Sequence, residues 1–360
     1  MGNNQASPKN QIFRGPSIFL IILWVVIATF RVITDNIGGA DSLGYIEWFE
    51  QSLNPNYSFI AHENSIDFSY TALMKIIRSV TSDYHVFFSV TYAIIVIGFI
   101  LCVGRFTKKE YSAVPFFMVF YLFLRSFNTL RSVLAISVIL IGLYYLAKQQ
   151  YLKTYLFFFL SLFTHTASVL FALVIPVSHL LSLKSINRKV IILAFVGMLT
   201  FANFLRIWFL DFFDGIDLGG AYQSYAREER TIWASSTEFF GQYLLGTVIL
   251  VYYNRIINYI KSVQDLTEQR SLKIMLFVCI YDFILTPFNT FLGIWRGYEF
   301  FYIVRLCMWS LLIFLFTKNE SKDLQILVRF IFLACFAGWF VFRLSRTYES
   351  SLLMPYMFAF

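Results

Sequence analysis

Long apolar runs recur along the chain from Ile18 to Phe342, and polar or charged residues bound each run. A helix of about 20 apolar residues matches the roughly 30 Å hydrocarbon core of a bilayer. Only 14% of the 360 residues are charged and 58% are hydrophobic, whereas soluble domains are roughly 25% charged. These features exclude a water-soluble globule and predict an all-α polytopic integral membrane protein.

The length of the chain limits this membrane protein to one domain. About 10–11 transmembrane helices need roughly 200 to 220 residues, which leaves only loops and short tails. We therefore predict a single membrane domain over residues 1–360. The first apolar run follows Lys9 and Arg14, lacks a small-residue cleavage site and is followed by Arg31. We interpret it as a retained signal anchor.

The lysines predict the orientation of the chain. Eleven of the twelve lysines fall in alternate loops, and Lys75 is the exception. Cytoplasmic loops are enriched in lysine and arginine, so these loops and the N-terminus are predicted to be cytoplasmic. Acidic segments lie on the opposite side. We expect an outer acidic loop with an amphipathic segment over residues 34–84 and a second outer loop over residues 209–238.

The apolar stretch over residues 154–183 is too long for one ordinary span and too short for two. Both of its flanks are basic, so we predict a re-entrant or broken helix pair that returns to its starting side. The break is expected near Phe163-Thr-His165-Thr-Ala167, with His165 in an outward-facing cavity. There, His165 could act as a general base, or it could simply bridge two helices.

Several other chemistries are excluded. All four cysteines lie inside apolar runs without Cys-x-x-Cys spacing, so we interpret them as core residues. The cations form no basic stripe, which excludes nucleic acid as a partner. No glycine-rich phosphate loop is present, and we expect neither a metal nor a cofactor. Asp282 is the one acid near a span centre and is placed in the inner half of its helix, where we expect a hydrogen bond to another helix.

On the predicted outer side, arginine almost entirely replaces lysine. A guanidinium binds phosphate through paired donors in a fixed fork, whereas an ammonium is a strongly hydrated point charge. Some of these arginines are expected to pair with outer carboxylates. The loop from Arg125 to Arg131 contains no acid and joins two apolar helices, so its charges have no partner nearby in the sequence. We predict that Arg125, Arg131 and Arg296 bind an anionic ligand.

An ordered set of motifs supports a more specific interpretation. The motifs are Gly39-Ala-Asp41-Ser-Leu-Gly44-Tyr45-Ile-Glu-Trp-Phe49, Glu63, Asn128-Thr-Leu-Arg131-Ser-Val-Leu-Ala135, Phe163-Thr-His165-Thr-Ala-Ser168, Arg296-Gly-Tyr-Glu-Phe-Phe301 and Pro355-Tyr356. Their order resembles that of the EpsG/Wzy-like polysaccharide polymerases. The chain departs from the family pattern at Ala40, where many members carry a hydroxyl residue, and at Glu299, an additional acid beside the late arginine.

The resemblance implies a glycosyltransferase-C-like arrangement of helices and a metal-independent membrane glycosyltransferase. Such an enzyme would join oligosaccharide repeat units linked to undecaprenyl pyrophosphate at the outer face of the bacterial inner membrane. The expected catalytic residues are Arg131, His165 and Asp41. The expected substrate-binding residues are Arg125, Arg296, Arg305, Glu63, Tyr45, Glu299 and Tyr298.

Membrane lipid, a chain-length regulator and a flippase are the partners that the resemblance implies. Two other functions would account for part of these features. A flippase for lipid-linked oligosaccharide also needs arginines for the diphosphate, but should show internal symmetry, and no repeat is found. A membrane acyltransferase could use His165, but its thioester donor is cytoplasmic and leaves the outer arginines unexplained.

Overall fold

The computed structural model describes residues 15–34, 38–39, 41–54, 68–107, 122–165, 168–182, 187–214, 239–292 and 297–351. These residues form α-helices and no β-strand, which confirms the all-α prediction. The helices are α1 (Gly15–Thr29), α2 (Ser42–Glu50), α3 (Phe68–Arg78), α4 (Tyr84–Phe106), α5 (Leu130–Ala147), α6 (Tyr151–Leu162), α7 (Ser168–Ala172), α8 (Val174–Ser182), α9 (Arg188–Asp214), α10 (Phe240–Ser262), α11 (Leu266–Leu292), α12 (Gly297–Phe300), α13 (Tyr302–Thr317) and α14 (Lys322–Ser351).

Several helices suit a bilayer. In the described part of the chain, three are long and apolar enough to cross a membrane by length and composition: Tyr84–Phe106, Leu130–Ala147 and Leu266–Thr290. Shorter apolar helices cover Ile18–Thr29, Tyr151–Leu162, Ser168–Ser182 and Tyr302–Thr317. The protein is therefore an all-helical membrane protein. The count of about 10–11 spans stays a prediction, as do the outer loops, the second of which lies mostly outside the described residues.

The helix pair predicted near residues 154–183 is broken as expected. The chain leaves α6 after Leu162 and resumes a helix at Ser168. The ring of Tyr151, at the start of α6, stacks on His179 of α8 with 4.7 Å between ring centroids. The hydroxyl of Tyr155 lies 2.7 Å from Nδ1 of the same histidine. Because α8 returns alongside α6, both ends of the pair lie together, which is the geometry of a re-entrant hairpin.

One end of the helix bundle is rich in lysine, and we call it the lysine end. It carries Lys148, Lys153, Lys261, Lys273 and Lys318. Here the end of α4 meets the start of α11, because Arg105 donates to the carbonyl of Thr267 over 3.0 Å. The ammonium of Lys273 donates to the carbonyl of Ser182 over 2.5 Å and so holds the end of α8 against α11. The described helix ends next to these lysines therefore meet at a single end of the bundle.

The opposite end, which we call the arginine end, carries Arg31, Arg125, Arg131, Glu299 and Arg305. Aromatic rings pack it tightly. Phe49 stacks on Phe87 with 5.2 Å between centroids, and Tyr70 meets Phe87 edge-on at 5.9 Å. Such pairs add about 0.5–1.5 kcal/mol beyond their buried area. They hold α2 and α3, which are too short to span a bilayer, firmly against α4.

Gly98 allows α4 and α5 to approach closely. A Cβ at this position would lie 2.8 Å from the carbonyl oxygen and 2.9 Å from the Cβ of Ser137 on α5. The Ser137 hydroxyl also donates to the carbonyl of Ile95 on α4 over 3.2 Å. Small residues and hydrogen bonds between helices are how membrane helices associate, because lipid supplies no hydrophobic driving force between them.

Gly98→Val is therefore expected to destabilise the protein by about 1–3 kcal/mol, the usual cost of overpacking. The clash is with backbone, which cannot move aside as a flexible side chain does. Thermal unfolding in detergent measures the effect. Gly197→Val on α9 is the matched control, since a Cβ there meets nothing within 4 Å. Equal melting temperatures for the two variants would show that the contact between α4 and α5 tolerates expansion.

Candidate functional site

Two of the sequence motifs are in direct contact at the arginine end. Gly38 and Gly39 have φ values of 93° and 106°, a backbone conformation that favours glycine. A Cβ on Gly39 would lie 2.7 Å from Oδ1 of Asn128 and 2.8 Å from the carbonyl oxygen of Phe127. The hydroxyl of Ser42 lies 2.9 Å from that same carbonyl. The first motif therefore packs onto the loop from Arg125 to Arg131, about 85 residues later in the chain.

Helix α2 then positions Tyr45 and Trp48 beneath the start of α5. The hydroxyl of Tyr45 accepts a hydrogen bond from the backbone N–H of Leu130 over 3.2 Å and donates to the carbonyl of Asn128 over 3.4 Å. One of the orphan N–H groups at the start of α5 is thereby satisfied. The guanidinium of half-buried Arg131 lies over the Trp48 ring, 5.0 Å from its centroid. Predicted site residues Tyr45 and Arg131 are thus brought together.

Arg125 has a carboxylate partner that its own loop does not contain. Its Nε donates to Oε1 of Glu299 over 3.1 Å, and the two side chains are 8% and 1% exposed. The loop has no acid of its own, as the sequence shows, but a carboxylate from a distant part of the chain pairs with Arg125. This pairing could not be predicted from the local sequence, because Glu299 lies 174 residues away, in the short helix α12. A buried ion pair fixes both side chains and joins this loop to α12.

Arg305 and Asp282 form a second buried ion pair, with Nη1 of Arg305 2.6 Å from Oδ2 of Asp282. The other carboxylate oxygen accepts from Nε2 of Gln242 on α10 over 2.9 Å. The predicted hydrogen bond to another helix is confirmed, but the predicted depth is wrong. α11 runs from Leu266 to Leu292, so Asp282 lies just past its midpoint, in the half nearer the arginine end. Arg305 lies in the first turn of α13.

His165 lies in the turn of the re-entrant hairpin, as predicted. The backbone N–H of Ser69, on α3, donates to the carbonyl of Phe163 over 2.8 Å and ties this turn to the arginine end. On its other side, Phe171 of α7 stacks on Phe300 of α12 with 4.1 Å between centroids. The hairpin turn therefore lies between α3 and α12. His165 itself is half-buried.

The remaining predicted residues vary in how far the structure locates them. Asp41 is exposed at the start of α2, and its carboxylate makes no capping hydrogen bond to that helix. Glu63 and Arg296 lie outside the described residues, and so does the side chain of Tyr298. The described part of the site therefore consists of α2, the loop from Arg125 to Arg131, the hairpin turn and Glu299.

Sequence reasoning missed Arg31. It is 3% exposed, and its guanidinium donates to the carbonyls of Gly38 (2.9 Å) and Ala28 and to the Ser42 hydroxyl (2.8 Å). The Phe127 ring lies 4.2 Å from it. An arginine that directly follows the first span and precedes an acidic outer segment violates the positive-inside bias. That signal could have identified it.

The arrangement suits an anionic ligand that carries a neutral polar part. Cations held in a site that excludes water act more strongly on an anion than they would in bulk solvent. Arginines supply donors for phosphate oxygens, while aromatic rings and carboxylates are suited to the faces and hydroxyls of sugars. All of these groups meet at the end of the bundle opposite the lysines.

The comparisons with known proteins agree with this chemistry. The EpsG family model matches residues 16–358, nearly the whole chain. No curated protein matches the chain, and no solved structure matches it. The family match includes every segment of the arginine end and confirms the resemblance that the ordered motifs suggested. The chain belongs to the EpsG family, which gives it a broad role in polysaccharide polymerisation.

Proposed function

We propose that the protein polymerises oligosaccharide repeat units linked to undecaprenyl pyrophosphate, at the outer face of the bacterial inner membrane. The growing chain and the next unit are joined by glycosyl transfer, and the lipid diphosphate leaves. Such a substrate has a polyprenyl tail in lipid, an anionic diphosphate at headgroup level and sugars in water. The enzyme must therefore serve three environments at one end of a membrane domain.

One observation carries this proposal. Within the described residues, the fold gathers α2, the loop from Arg125 to Arg131 and Glu299 at a single end of the bundle, opposite the lysines. Positive-inside topology places lysine-rich loops in the cytoplasm, so the arginine end is expected to face outward. Family membership supplies the polymer chemistry, and the arginines supply the means to bind a diphosphate.

In the proposed mechanism, an acceptor hydroxyl oxygen attacks the anomeric carbon of the donor sugar. The new carbon–oxygen bond forms as the bond from that carbon to the diphosphate oxygen breaks. Arg131 stabilises the negative charge that develops on the departing diphosphate. The hydroxyl proton passes to a base, for which His165 and Asp41 are the candidates.

Arg125 and Glu299 have a linked role in this proposal. Glu299 holds the guanidinium of Arg125 in one orientation, so the cation does not have to be reoriented to bind a diphosphate. Preorganised donors of this kind need no rearrangement during the reaction. We further propose that Arg296, Tyr298, Tyr45 and Glu63 contact the sugars or the diphosphate.

Polymer length in a host that lacks the gene tests the function. A polymerase predicts loss of long chains, while single repeat units still reach the cell surface as glycolipid. Re-expression of the wild-type chain should restore the long chains. Accumulation of lipid-linked units that face the cytoplasm would instead assign the chain to flipping. Unchanged chain length would contradict both functions.

A further inference from the structure

Arg31 is a buried cation that contacts only neutral groups in the described part of the chain. Its three named donors reach two backbone carbonyls and one hydroxyl. Three rings surround the guanidinium, with centroids 4.2 Å away for Phe127, 5.1 Å for Phe88 and 5.5 Å for Tyr92. Burying a charge costs several kcal/mol unless such partners compensate it. A charge retained at that cost needs an explanation beyond packing.

The contacts of Arg31 lead directly to the proposed anion site. Nη2 donates to Ser42 over 2.8 Å, and the Ser42 hydroxyl lies 2.9 Å from the carbonyls of both Gly38 and Phe127. One hydroxyl therefore joins the arginine, the glycine turn and the loop that bears Arg125 and Arg131. Ser42 is also the first residue of α2, so its position sets that of the whole short helix.

The position of Ser42 affects that of Arg131 through helix α2. Two turns after Ser42, Trp48 places its ring 5.0 Å from the guanidinium of Arg131. Between them, the Tyr45 hydroxyl holds Leu130, the residue before Arg131. A shift of Ser42 would therefore move both groups that locate Arg131. Misplacement of a reacting group by about 1 Å can cost roughly 100-fold in rate, so small shifts here have large consequences.

We propose that Arg31 is a positioning residue for diphosphate binding and acts through Arg131. This inference rests on the proposed function, because it assumes that Arg131 binds the diphosphate. A planar guanidinium presents its donors in a fixed fork, which is why arginine suits the three acceptors around the glycine turn. Lysine would keep the charge and lose the fork.

Binding of farnesyl diphosphate to the full-length protein in detergent tests this inference, with farnesol as the uncharged control ligand. Arg31→Gln is expected to weaken the binding of farnesyl diphosphate about 10-fold and to leave the binding of farnesol unchanged. Groups that hold a metal ligand in place typically contribute 10- to 100-fold to affinity or activity, and we take the lower figure. Arg105→Gln is the matched control, because Arg105 also donates to a backbone carbonyl but at the lysine end.

A double-mutant cycle separates positioning from a general loss of structure. If Arg31 acts through Arg131, Arg31→Gln should weaken the binding of farnesyl diphosphate to the otherwise wild-type protein. In an Arg131→Ala background, the same substitution should change the binding affinity little. Equal losses in both backgrounds, or no loss in either, would overturn the inference. If Arg131→Ala itself binds farnesyl diphosphate as wild type does, the proposed function fails at Arg131 before Arg31 is considered.

If Arg31→Gln does not fold, Ser42→Ala tests the same inference. This variant keeps the charge and removes only the hydroxyl between Arg31 and the carbonyl of Phe127. It should weaken farnesyl diphosphate selectively and show the same dependence on Arg131. Wild-type affinity in folded Ser42→Ala would show that this route does not position Arg131.

Discussion

Arg131→Ala is expected to lower the rate of polymerisation by about 100- to 1,000-fold, which is the usual effect of removing one preorganised donor to developing charge. Arg131 is half-buried and lies over Trp48 at the start of α5, so its removal deletes a cation without opening the aromatic core. The protein should therefore remain folded. Polymer length in cells and turnover of lipid-linked repeat units in reconstituted membranes measure the effect.

Arg270→Ala provides the control for this variant. Arg270 is also half-buried on a helix, but it belongs to the first turns of α11, at the lysine end. It should polymerise at the wild-type rate. Wild-type yield and chain length in Arg131→Ala would remove Arg131 from the mechanism. A loss of activity in both variants would indicate a general effect of surface charge.

Much of the arginine end could be predicted because its signals are local. The lysines predicted one end of the bundle, and the bias toward arginine led to the anion-binding site that we propose at the other end. The break near His165 followed from the length of residues 154–183, which fit neither one span nor two, and from the two basic flanks of this stretch. Each of these inferences uses residues that are neighbours in the chain.

What could not be predicted depends on contacts between distant residues. Glu299 pairs with Arg125 across 174 residues, and no local pattern indicates that α12 meets this loop. From the sequence, Arg31 is only the residue that follows the first span. Its hydrogen-bond acceptors are backbone carbonyls and a serine, and a pattern of charged residues does not show such neutral groups. The depth of Asp282 was misjudged because α11 begins at Leu266, several residues before its apolar run, so the midpoint of the helix precedes Asp282.

The largest effect on stability is expected at the ion pair of Arg305 and Asp282. Arg305→Met should destabilise the protein by about 3–5 kcal/mol, because it leaves a buried carboxylate without its cation. Asp282 is only 2% exposed and lies within a helix that is apolar enough to span a bilayer, so water cannot compensate the charge. Thermal or denaturant unfolding in detergent measures the loss.

The double variant Arg305→Met with Asp282→Asn shows the cause of the lost stability. The cause is either the unpaired charge of Asp282 or the loss of other contacts of Arg305. Asparagine keeps an oxygen that can accept from Gln242, whose Nε2 donates to Asp282 over 2.9 Å, and it carries no charge. Neutral replacements of buried pairs are often close to neutral in stability, so most of the loss should be recovered. Stability as low as in Arg305→Met alone would mean that the guanidinium stabilises the fold by contacts other than the pair.

Activity of the same double variant decides what Arg305 does in the reaction. A folded double variant that polymerises normally would limit Arg305 to joining α13 with α11, and we expect this result because Asp282 holds its guanidinium at 2.6 Å. A folded variant without activity would instead support the substrate-binding role predicted from the sequence. We assign Arg131 to the diphosphate because it lies at the start of α5, over the Trp48 ring and next to Leu130, whose backbone N–H the Tyr45 hydroxyl holds in place.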